Sequence, residues 1–89
     1  LSIKKGKKCS WHYHKKKDEV FYVQSGKMIV RYSYKDDLQV CNKTILEPGD
    51  NFHIPVGLRH QMEAIEDTEF FEFSMQHFDT DSYIVKKGD

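Results

Sequence analysis

At 89 residues, 38% apolar and 31% charged, the chain has a globular composition with room for one domain, residues 1–89, and a core modest enough that a metal or a dimer interface would add usefully to its stability. No apolar run in these residues is long enough to span a bilayer. Fourteen basic and fourteen acidic side chains cancel overall, so no global charge draws the protein to nucleic acid.

The chain begins at Leu1 with neither a methionine nor a signal peptide, and a few residues are expected ahead of it. Lys4, Lys5, Lys7, Lys8, Lys15, Lys16 and Lys17 crowd the first seventeen positions. With no arginine among them and no aromatic platform for bases, they read as solvated strand edges and loop, where lysine discourages edge-to-edge aggregation. Residues 8–14 form the first predicted strand, and Lys15-Lys16-Lys17 a polar loop. Residues 18–24 and 27–34 read as a hairpin across Ser25-Gly26, with Met28, Val30 and Tyr32 on one face and Ile29, Arg31 and Ser33 on the other. After a turn at Lys35-Asp36-Asp37, residues 38–41 and 44–46 read as two short strands around Asn42-Lys43, and Glu47-Pro48-Gly49-Asp50 as a tight turn.

Residues 51–54 and 59–64 are strands separated by the turn Pro55-Val56-Gly57. Beyond Ile65-Glu66-Asp67, residues 68–76 alternate Phe71, Phe73 and Met75 with Glu72, Ser74 and Gln76. A last strand is predicted around Ser82-Tyr83-Ile84-Val85. Eight or nine short strands without helical periodicity or repeats indicate an all-β sandwich or barrel. Cys9 and Cys41 lack C-x-x-C spacing and read as two buried or half-buried thiols in a reducing, cytoplasmic setting.

The chemistry concentrates at His12-Tyr13-His14. On a strand, positions i and i+2 share a face, so the two imidazoles converge while Trp11 and Tyr13 point the other way. If the strand of residues 18–24 pairs with this one, it carries Glu19 to the same place, and His60 is the candidate for a fourth ligand from far along the chain. Imidazole and carboxylate together suit one divalent Zn, Fe, Mn, Ni or Co ion. His53 and His77 read as surface residues, His53 facing opposite to Phe52 and Ile54.

At this spacing the residues resemble the cupin family. Its first motif, G-x5-H-x-H-x4-E-x6-G, is met by Gly6, His12, His14, Glu19 and Gly26. Its second, G-x5-P-x-G-x2-H-x3-N, is met by Gly49, Pro55, Gly57 and His60, with Ala64 in the asparagine position, which removes a supporting polar contact. The resemblance implies a double-stranded β-helix, the jelly-roll barrel, with His12, His14, Glu19 and His60 as metal ligands inside it. Phe21, Met28, Val30, Phe52, Ile54 and Met62 should then line the lumen, and Tyr32, Arg59, Gln61, Ser74 and Tyr83 its mouth. Arg59, Tyr32, Phe21 and Met62 are the expected ligand contacts, Arg59 toward an anion.

The run 74–83 looks like small cupins of the mannose-6-phosphate isomerase type. That implies a sugar-phosphate isomerase or epimerase, in which an ion holds two sugar oxygens while a base moves a proton through an enediol. No base is evident, since Glu63 should face away from His60, and Tyr32 or Tyr83 would need activation. The alternatives are a non-haem Fe dioxygenase and a non-catalytic module binding a carbohydrate or small acid. Trp11, Tyr13, Val20, Tyr22, Ile29 and Phe70 are expected on the outer faces, enough aromatic surface to suggest a homodimer.

Overall fold

A computed structural model describes residues 1–74 and 82–88. Among these residues there are nine strands and no helix, hence none long and apolar enough to cross a membrane. The strands are β1 (Ser2–Ile3), β2 (Trp11–Tyr13), β3 (Glu19–Ser25), β4 (Met28–Ser33), β5 (Asn42–Leu46), β6 (Asn51–Ile54), β7 (Arg59–Ala64), β8 (Thr68–Ser74) and β9 (Tyr83–Lys86). They form two antiparallel sheets, ordered β1-β8-β3-β6 and β5-β4-β7-β2-β9, the paired layers of a jelly roll.

Each layer faces the other with the period-two pattern read from the sequence. Phe21 and Val23 of β3, Ile54 of β6 and Phe70 of β8 meet Met28 and Val30 of β4, Leu46 of β5 and Met62 of β7 in one apolar cluster, with Phe52 and Tyr32 packed against it. All six side chains expected around the lumen belong to this cluster or touch it.

The expected hairpin across Ser25-Gly26 does not form. β3 pairs with β6 and β8, whereas β4 pairs with β5 and β7, so the chain here crosses from one sheet to the other. Gly26 makes that crossing at φ +90°, and a Cβ on it would collide with the Asp67 carbonyl and lie 2.7 Å from Thr68 Cα. Thr68 Oγ1 accepts the Lys27 amide at 3.2 Å, fastening the crossing to the start of β8.

Residues 38–41 are not a strand either. The Asp37 carboxylate accepts the Gln39 amide at 2.9 Å, a local turn that competes with sheet pairing, and β5 begins only at Asn42, opposite Tyr32.

Two residues expected on the outer faces are interior. Trp11 is fully buried because the segment after β4 folds back over it, and its Nε1 donates to the Asp36 carbonyl at 2.8 Å. Phe70 shares the inward face of β8 with Thr68 and packs edge-on against Phe21. Phe71 and Phe73 are exposed on the outer side of the four-stranded sheet instead, beside Tyr22, which is exposed as expected. Cys9 and Cys41 are both free and half-buried.

Candidate metal centre

The two histidine-bearing segments lie side by side. His12 of β2 is directly opposite His60 of β7, and His14 lies one residue past the end of β2. The Gly57 amide donates to the His14 carbonyl at 2.7 Å, so the turn preceding His60 is latched to the strand end carrying His14. The ring centroids are 4.2 Å apart for His12 and His60, 5.1 Å for His12 and His14, and 5.4 Å for His14 and His60. One nitrogen from each of the three rings lies within 4.8 Å of the other two.

Backbone carbonyls two residues upstream orient two of these rings. His12 Nδ1 donates to the Ser10 carbonyl at 2.9 Å, and His60 Nδ1 to the Leu58 carbonyl at 3.0 Å. Each contact fixes the tautomer that leaves Nε2 as a lone-pair donor, the arrangement typical of metal-bound imidazole.

Glu19 comes from the facing sheet, because β3 pairs with β6 and β8 and not, as expected, with the strand that carries His12. Glu19 is 2% exposed, and its Oε1 stands 2.5 Å from His14 Nε2, a buried ion-pair contact. It touches His14 and stands outside the mutually close histidine trio.

Among the described residues His60 Nε2 is buried with no hydrogen-bond partner, and Glu19 Oε1 is buried against His14 Nε2. Leaving such an atom unsatisfied costs about 1–3 kcal/mol, and more for a charge. A cation between the sheets would engage both, and three imidazoles with one carboxylate are a donor set suited to Zn, Fe, Mn, Ni or Co. The residues therefore fit a divalent ion.

Electrostatics favours the ligating forms. Burial, together with the neighbouring His12, pushes the His60 imidazole down to about 3, and burial also lowers His12. Burial alone would raise the Glu19 carboxyl, but the His14 imidazole against it, helped by Lys17 and His60, outweighs this and holds it below its ordinary value. At neutral pH the cluster presents unprotonated His12 and His60 and an ionised carboxylate.

The expected ligand contacts are distributed unevenly. Phe21 is buried with its ring centroid 6.1 Å from that of His60, and Met62 lies two residues along the same inward face of β7. Tyr32, opposite His60 on β4, packs on Phe52 and borders a cleft of about 350 Å³ with Asn42, His53, Pro55 and Leu58.

Arg59 is on the other face of β7. Its donors go to the Asp36 carboxylate and the Gly57 carbonyl, each at 2.8 Å, and its guanidinium lies 3.7 Å over the Tyr13 ring. Gln61 is buried and donates to the Cys9 carbonyl, Tyr83 stacks on Tyr13, and Ser74 sits opposite Glu19. His53 is exposed beside Asp18, as expected, and His77 lies outside the described residues.

The expected solvated loop Lys15-Lys16-Lys17 holds for its first two residues and not for the third. Lys17 is 8% exposed, unlike its exposed neighbours Lys15 and Lys16, and its Nζ lies 3.9 Å from Glu72 Oε1. The alternation Lys17, Glu19, Phe21, all buried, was the available signal.

A β-sandwich of two antiparallel sheets with a histidine cluster between them defines the class to which this chain belongs. The Cupin domain family model matches residues 1–75, and the chain belongs to the cupin family. Its fold is similar to that of the capsular polysaccharide assembling protein CapF from Staphylococcus aureus, with TM-score 0.83 and 26% identity over 97% of this chain. The chain spans only 27% of the CapF chain. It is also similar to KdgF from Halomonas sp., with TM-score 0.68 and 26% identity over 85% of this chain and 66% of that one. Oxalate decarboxylase from Bacillus subtilis shares the fold, with TM-score 0.78 and 22% identity over 93% of this chain and 22% of that one. No curated protein sequence matches the chain.

Proposed function

We propose that His12, His14, Glu19 and His60 hold one divalent ion, and that the site acts on a sugar or small acid as an isomerase or epimerase. The observation carrying this reading is the convergence of one nitrogen from each of His12, His14 and His60 within 4.8 Å, with His60 Nε2 buried and without a hydrogen-bond partner among the described residues. The similarity to a protein named for capsular polysaccharide assembly supports the carbohydrate side of it. An ion bound there supplies Lewis-acid polarisation of a substrate carbonyl or hydroxyl oxygen.

The chain's own residues do the rest. Ser10 and Leu58 hold His12 and His60 with Nε2 presented, while Phe21 and Met62 keep an apolar wall against the cluster that excludes water and strengthens local electrostatics. Tyr32, in register with His60 and bordering a cleft with Phe52 and Leu58, orients the ligand.

The test joins elemental analysis of chelator-free protein to NMR of solvent-deuterium incorporation into a panel of aldoses, ketoses and their phosphates. Metal-dependent exchange at the carbon beside a carbonyl supports the reading, and its absence with every divalent ion removes the isomerase part. Oxygen uptake by iron-loaded protein would instead indicate a dioxygenase, and thermal stabilisation by a sugar without turnover a binding module.

The free thiols of Cys9 and Cys41 suit a reducing, cytoplasmic setting. Exposed Phe71, Phe73 and Tyr22 on one sheet face favour a homodimer, checked by sedimentation of the wild type against Phe73→Ser.

A further inference from the structure

The four residues proposed to hold the ion are not equally fixed by their strands. Glu19 opens β3, which is paired on both sides, so its backbone is set by the sheet. His14 lies one residue past the end of β2, and the ring of His60 takes its orientation from the Leu58 carbonyl. Both therefore depend on the turn Pro55-Val56-Gly57-Leu58, which carries the chain from β6 in one layer to β7 in the other.

This turn has a defined form. The Leu58 amide donates to the Pro55 carbonyl at 3.2 Å and Gly57 has φ +85°, which makes it a type II turn with Val56 at its first central position. From its successive residues run contacts to three sides of the centre. The Val56 amide donates to Asp18 Oδ1 at 2.9 Å, the Gly57 amide to the His14 carbonyl at 2.7 Å, and the Leu58 carbonyl accepts His60 Nδ1 at 3.0 Å.

The Asp18 contact starts this series. Glu19 is paired with Ile54, and the next residue of that strand, Pro55, has no amide with which to extend the ladder. The Asp18 carboxylate takes the following amide instead, a charge-assisted hydrogen bond at the point where the chain leaves the sheet. Asp18 braces the near end of the turn as Arg59 braces the far end, through the Gly57 carbonyl at 2.8 Å. The Asp18 side chain is 44% exposed and stands outside the apolar cluster, so removing it leaves the core intact.

We infer that Asp18 is a positioning residue of the metal centre: by holding the Val56 amide it fixes the turn through which the Gly57 amide and the Leu58 carbonyl aim His14 and His60. A turn released from β3 lets the Leu58 carbonyl draw away from His60 Nδ1, and the ring is then free to rotate. The inference rests on the metal-site reading above.

Cobalt(II) titration of chelator-treated protein, followed by visible absorption, tests it. Asp18→Ala should bind the ion about tenfold or more weakly than the wild type and with an altered ligand-field spectrum. Asp18→Asn keeps an oxygen that accepts the Val56 amide and should restore both the affinity and the spectrum. Val56→Pro deletes the same bond from its other end, at an exposed turn position that favours proline, and should match Asp18→Ala, with no further loss in the double variant. His53→Ala removes only the neighbouring 3.5 Å ion pair to Asp18 and should leave cobalt binding unchanged. Wild-type affinity and spectrum in Asp18→Ala or Val56→Pro, an Asp18→Asn as weak as Asp18→Ala, additive losses in the double variant, or weakened binding in His53→Ala would each overturn the inference. If Asp18→Ala does not fold, Val56→Pro and Asp18→Asn decide the matter. Failure of the underlying reading looks different: no cobalt uptake by the wild type, or full affinity in His60→Ala, which overturns both.

Discussion

His12 and His60 face each other across the β2–β7 pairing with their ring centroids 4.2 Å apart, each held through Nδ1 by the carbonyl two residues before it. Residues separated by 48 positions in sequence thus present the same nitrogen to the same space with the same local device. Such a pair is expensive when empty and productive when shared with a cation.

Metal removal should therefore destabilise the protein. An ion present at a thousand times its Kd contributes on the order of 4 kcal/mol, which for a domain of this size is roughly 15 °C or more in Tm. Thermal unfolding with and without chelator measures it. In His60→Ala, the added ion should shift Tm by no more than a degree or two, and a full shift there would show that His60 is not a ligand.

The stability of the chelator-stripped protein should fall with acid. Burial places the folded His60 pKa near 3, far below its ordinary value of 6.5. Between those values the unfolded chain takes up a proton at this position and the folded chain does not. Stability is thus complete above about pH 6.5 and declines as pH drops toward 3, by about 1.4 kcal/mol per unit at most from this group. The lowered His12 and Glu19 values act in the same direction. Melting curves from pH 8 to 4 should show the slope in the wild type and a shallower one in His60→Ala. A flat wild-type profile would contradict the assignment.

Gly26→Ala should cost far more than Gly49→Ala. Both glycines have φ near +90°, which an alanine resists by about 1–2 kcal/mol, but only at Gly26 does the new methyl meet the backbone of Asp67 and Thr68. The expected losses are about 4 kcal/mol or more at Gly26 and about 1–2 kcal/mol at Gly49, read from urea denaturation. Equal losses would mean that the crossing can shift to make room.

Trp11 is the sole tryptophan and fully buried, so native emission should be blue-shifted and move to the red on unfolding. Trp11→Phe removes the hydrogen bond to the Asp36 carbonyl and part of a buried ring, for a loss of about 2–3 kcal/mol. Solvent-like emission from the native wild type would place the ring outside.

What the sequence disclosed and what it concealed differ in kind. Alternation along 28–33 and 59–64 is a local property, and it located the strands and their inward faces. The spacing of His12, His14, Glu19 and His60 resembled a family pattern, and the histidine trio came together accordingly. Partner choice is not local: Ser25-Gly26 signals a turn equally well whether the next strand returns beside its predecessor or crosses to the other layer. Trp11 faces opposite to His12, and on strand logic that is outside, but a remote segment carrying Asp36 covers it. Lys17 was hidden by its exposed lysine neighbours, since composition averages a run that the fold divides residue by residue.

The histidines belong to the five-stranded layer and Glu19 to the four-stranded one, two layers that otherwise meet largely through apolar side chains. A cation gripped from both sides would work as a rivet through a laminate, setting the gap between the layers and suppressing their sliding. In a domain too small to hold its shape by bulk alone, the reactive centre would then double as a mechanical fastener.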